Sequence, residues 1–63
     1  MKHLDEGYVF EKLEEARLFT KEAAWDEKNG HTKTARALLK AAREQVMSAA
    51  RELSRGINAE ITQ

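Results

Sequence analysis

A chain of 63 residues has room for one domain and a thin core. It contains no cysteine, which excludes a disulfide framework and a thiolate metal site, so self-association is the natural substitute for the missing staples. Eleven basic residues balance eleven acidic ones, which removes the simple case for a strongly cationic nucleic-acid binder.

The charge is unevenly divided. Residues 1–30 carry eight acids and five bases, whereas residues 31–63 carry six bases and three acids, a bias that suits two segments lying side by side. Apolar runs are only a few residues long, so neither a membrane span nor the apolar core of a signal peptide is expected. The plain expectation is a cytoplasmic protein. Proline is absent, and alanine, leucine, glutamate, lysine and arginine dominate, which favours helix throughout.

A first helix is predicted over about residues 4–29. Asp5 and Glu6 near its start complement the helix dipole. Val9, Leu13, Ala16, Thr20 and Ala23 follow one another at alternating spacings of four and three, the rhythm of a packing seam. Asn29-Gly30 is a stop signal, because glycine takes the left-handed conformation that closes a helix. An Asn-Gly pair also marks tight β-hairpins, but its flanks here have helical rather than alternating spacing.

After a turn at about 30–33, Thr32 or Thr34 is expected to cap a second helix over about 34–55. Arg51 and Arg55 suit its C-terminus, Gly56 is read as its end, and residues 56–63 as a short tail. Ala35, Leu38, Leu39, Ala42, Val46, Ala49, Ala50, Leu53 and Ile57 fall within about one third of the circumference. Within that stripe Ala35, Leu39, Ala42, Val46, Ala49 and Leu53 alternate four and three, with alanine at one heptad position and a larger aliphatic at the other.

The chain is therefore expected to be all-α: one antiparallel two-helix hairpin, its seam made by Val9, Leu13, Ala16, Ala35, Leu39, Ala42, Val46, Ala49 and Leu53. The first helix has more apolar residues than one seam can use. Phe10, Leu18 and Trp25 form one flank and Tyr8 and Phe19 the other, and each large side chain left in water forgoes about 1.5–3 kcal/mol of burial. These five are the candidate dimer or partner interface. Pairing of two hairpins into a four-helix bundle is the leading expectation; a tail folding back through Ile57 and Ile61, or a different partner protein, are the alternatives.

Catalytic and metal chemistry find little support. His3 and His31 are the only histidines and lack a second ligand at helical spacing. Glu11, Glu14 and Glu15 suggest a carboxylate-rich bundle face, but the Glu-x-x-His partner of a di-metal site is missing. Ser48 and Ser54 have no adjacent histidine base, and there is no glycine-rich phosphate loop. No enzyme activity and no cofactor are expected. Lys33, Arg36, Lys40, Arg43, Arg51 and Arg55 project from the second helix opposite its apolar stripe, a ridge able to track phosphates or to dock an acidic protein surface.

The spacing of Gly30, Ala35, Leu39 and Ala42, with Phe19 and Ala23 upstream, resembles one tetratricopeptide-type helical hairpin. Glu22 and Asp26 depart from that pattern where an apolar residue and an aromatic belong, and a stable array requires about three copies. The resemblance implies hairpin packing, not peptide binding. In its size, helicity and lack of cysteine the whole chain also resembles the short accessory proteins encoded between the recombination and excision genes of lambdoid phages. That resemblance implies a non-enzymatic factor that acts on host regulation, in the host cytoplasm, through contacts with another macromolecule. The expected function is thus that of a homodimeric protein-binding or regulatory factor, with nucleic-acid binding through the basic face as the alternative.

Overall fold

The computed structural model describes residues 4–61. It consists of two helices, α1 (Glu6–Lys28) and α2 (Thr32–Ile61), packed against each other as a hairpin 51 Å long. Among the described residues there is no strand. The expected all-α hairpin is therefore the fold.

Each end of α1 is closed by a specific device. Asp5 is the N-cap, and its side-chain oxygen accepts the backbone N–H of Tyr8 at 3.0 Å, satisfying one of the donors that the first turn leaves unpaired. At the other end Gly30 adopts φ +82°. The His31 N–H donates to the Asp26 carbonyl at 2.7 Å and the Gly30 N–H to the Glu27 carbonyl at 3.2 Å, the paired bonds of a Schellman closure. The Asn29 side chain adds a bond to the Trp25 carbonyl at 2.7 Å. Asn29-Gly30 is the stop read from the sequence.

The second helix differs from expectation at both ends. It begins at Thr32, and the carbonyl of His31 accepts the N–H of Ala35 at 2.9 Å, so His31 stands where a capping threonine was expected. It also runs through Gly56 to Ile61, where a tail from residue 56 was predicted. The physical reason is steric. Gly56 is buried, and a Cβ there would meet Leu4 atoms at 3.1–3.3 Å; the glycine admits a close approach of the N-terminal segment and does not end the helix. Thr62 and Gln63 of the expected tail lie outside the described residues.

The buried hydrophobic residues are Val9, Ala16 and Ala23 on α1 and Ala35, Ala42 and Ala49 on α2. With Gly56 they form two strict seven-residue series, 9-16-23 and 35-42-49-56. Only half of the predicted seam is therefore core. Leu13, Leu39, Val46 and Leu53 are 39–47% exposed, a correction with a clear cause. When the smallest residues occupy one heptad position, the helices close on that line, and the larger residue four positions later is turned toward one side of the pair.

Candidate functional site

The hairpin has two unlike sides, and the helical period decides which residues each presents. On the first side Leu13 and Thr20 from α1 stand with Leu39, Val46 and Leu53 from α2. Their placement together is visible near the turn, where Thr20, Ala23, Ala24, Ala35 and Leu39 line a single groove of about 390 Å³ with Glu27 and Arg36 at its edges. Phe10 is about 60° from Leu13 around α1 and is 65% exposed.

The second side is more polar and more covered. Lys12, Glu15, Phe19 and Asp26 of α1 and Leu38, Gln45, Ser48 and Glu52 of α2 are half-buried. At the open end, Asp5, Tyr8, Ser48, Arg51, Glu52 and Arg55 line a second cleft. There the Asp5 backbone N–H donates to Glu52 Oε2 at 3.0 Å, and the Arg55 Nε donates to Glu52 Oε1 at 3.0 Å. These two donors, the guanidinium first, hold the Glu52 carboxyl down at about 2. Arg51 donates to Ser48 Oγ at 3.2 Å, and Lys12 lies 5.4 Å above the Tyr8 ring, within cation–π range.

The five candidate interface residues are not brought together. Tyr8 and Phe19 lie on the polar side, with Phe19 half-buried. Phe10 lies at the edge between the apolar side and the back of α1, about 60° around the helix from both Leu13 and Trp25. Leu18 and Trp25 project from the back of α1, away from α2, and are 48% and 59% exposed. The Trp25 ring is 6.0 Å from that of His31, whose Nδ1 is 3.3 Å from Asp26 Oδ1. This accounts for His31 as a turn residue. His3 lies outside the described residues. Among the acids considered for a metal face, Glu14 is bonded to Arg17 at 2.8 Å and Glu15 is 4.0 Å from Lys12; the Arg17 hydrogen bond and charge lower the Glu14 carboxyl.

The basic ridge is divided. Lys33, Arg36, Lys40 and Arg43 are exposed, form no ion pair among the described residues and share one stripe about 15 Å long at the turn end of α2. Arg51 and Arg55 are separated from them and engage Ser48 and Glu52 in the polar cleft. Sequence reading missed the apolar side as a surface, because it placed Leu13, Leu39, Val46 and Leu53 in the interior. No helix of the described residues is long and apolar enough to cross a membrane. Comparison with known proteins finds no matching family model, no similar curated protein and no similar solved structure.

Proposed function

We propose that the chain is a non-enzymatic interaction factor that acts as a homodimer and binds another protein. One observation carries this reading: most of the large apolar side chains are exposed, and the buried ones are small. Among the described residues the core is Val9 and five alanines, while Phe10, Leu18, Trp25, Val46, Met47 and Ile57 are each close to half exposed or more. Large apolar groups left in water at this density are the mark of an interaction surface. The surface also has two separate parts, since the outer Leu18–Trp25 stripe and the apolar side of the hairpin point in different directions. A dimer would use one and leave the other for a partner. On this reading the partner is a regulatory protein of a host cytoplasm.

Retention of a host protein by the immobilised chain tests this. Binding that persists through concentrated salt and is lost in Trp25→Ala supports an apolar partner surface on the back of α1. Equal retention by the wild type and by a double variant, Leu18→Glu with Trp25→Ala, would remove it. Nucleic-acid binding is the second reading, favoured by the exposed cations Lys33, Arg36, Lys40 and Arg43, which form no ion pair among the described residues. If they contact phosphates, affinity falls steeply with added salt, and the slope has a ceiling of about four released ions per chain, or about eight per dimer. No mobility shift of DNA or RNA at low salt would eliminate it.

A further inference from the structure

We infer that the apolar side of the hairpin, built on Leu13, Leu39, Val46 and Leu53, is the surface on which a second copy of this chain docks to form a four-helix bundle. The inference rests on the dimer reading above and adds which face makes the dimer. It gives the dimer to this face and leaves the Leu18–Trp25 stripe to a partner.

Three observations support it. The first is an inversion of burial across the hairpin. The side that the two helices half-cover holds Lys12, Glu15, Gln45 and Glu52 around Phe19 and Leu38, while the four aliphatics on the other side stay 39–47% exposed. Helices that have only each other to pack against would rotate to cover the aliphatics and release the charges. The observed rotation is the one in which the alanine lines meet and the aliphatics of both helices converge on one surface, ready for a second layer.

The second is area. The chain exposes 5007 Å², against about 4,100 Å² for a folded protein of 7.2 kDa. The radius of gyration, 14.9 Å, likewise exceeds the roughly 11 Å of a compact domain of this length. The excess surface, about 900 Å², is close to the roughly 800 Å² that each partner contributes to a stable interface. A second hairpin laid along this side supplies that cover in one step.

The third is composition of the face and its edges. Its central polar side chain, Thr20, already donates its hydroxyl to the Ala16 carbonyl at 2.7 Å, so burial leaves no donor stranded. The edges carry both signs of charge, with Glu6 and Glu27 near the ends and Arg17, Arg36 and Arg43 along the sides. A surface meeting its own copy requires that mixture, because a single-sign edge would repel itself. The groove among Thr20, Ala23, Ala24 and Ala35 is lined by small residues beside Leu39, a hollow of the kind that receives the large side chains of a facing layer.

Val46→Glu tests the face, because Val46 is 47% exposed in the hairpin and its replacement leaves the seam intact. The dimer dissociation constant of this variant should rise about a hundredfold or more, since each dimer then buries two unpaired carboxylates. Trp25→Ala should change it by less than about threefold. The wild-type chain offers a second readout that does not depend on any variant folding. Trp25 is its single tryptophan and lies on the far side of α1, so its emission should stay at the solvent-exposed position as the dimer is diluted into dissociation. A blue-shifted emission that reddens on dilution, or a Val46→Glu dimer of wild-type affinity, would overturn this face while leaving the dimer in place. A wild-type chain that sediments as a folded monomer would overturn both.

Discussion

Ala42→Leu is the sharpest probe of the alanine seam. Ala42 is 4% exposed and lies at the middle of the 35-42-49-56 series, level with Ala16, which is 5% exposed. Leucine adds three carbons where the two backbones approach along the small-residue line. Overpacking of this kind costs about 1–3 kcal/mol, against a total stability of roughly 3–9 kcal/mol for a chain of this length. At about 4–8 °C per kcal/mol for a small domain, the midpoint of thermal unfolding should fall by roughly 5–20 °C. Circular dichroism at fixed protein concentration measures it, and concentration must be held because dimerisation shifts the midpoint by mass action. Ala37→Leu, at an exposed position of the same helix, is the control and should move stability by less than about 0.5 kcal/mol. If both variants melt within about 2 °C of the wild type, the helices do not close on the alanine line.

Gly30→Ala isolates the turn. No atom lies within 4 Å of a Cβ built there, but φ is +82°, so the cost is backbone strain alone, about 1–2 kcal/mol of stability, read as a lower urea midpoint; an unchanged midpoint would show that the turn relaxes to another conformation. Asp5→Ala removes the acceptor for the Tyr8 N–H and should cost about 1 kcal/mol, with Asp5→Asn recovering most of it; an Asp5→Ala variant as stable as the wild type would mean the cap contributes nothing. Glu52 gives a pH test. Its carboxyl is lowered from 4.5 to about 2 in the folded chain, so its contribution is complete above about 4.5 and is lost as the pH falls toward 2. The wild-type melting temperature should therefore decline across that window more steeply than that of Glu52→Gln, and parallel curves would exclude the Asp5–Glu52–Arg55 cluster as a source of acid sensitivity.

The hairpin itself was legible because its signals are local. Asn29-Gly30 needs only its own backbone to end α1, and the four-three rhythm needs only the helical period to mark a seam. What the rhythm could not reveal is which member of each pair is buried. Ala35 and Leu39 satisfy the same pattern, and the decision depends on how closely the two backbones approach, which is a property of both helices together. The half-burial of Lys12, Glu15 and Glu52 was hidden for the same reason. Gly56 was misread as a stop from its residue type, although its spacing of seven from Ala49, Ala42 and Ala35 placed it on the packing line. The two flanks separated by helical spacing stay apart in the structure, Tyr8 and Phe19 on the polar side and Leu18 and Trp25 on the back, with Phe10 at the edge between the back and the apolar side.

Sedimentation equilibrium on the wild-type chain, at micromolar concentration and near-neutral pH, tests most directly whether the apolar side is covered by a second copy. Docking of two hairpins on Leu13, Leu39, Val46 and Leu53 predicts a single species of twice 7.2 kDa, retained in concentrated salt because the contact is apolar. A species of 7.2 kDa that keeps its helicity and unfolds cooperatively at those concentrations would contradict it.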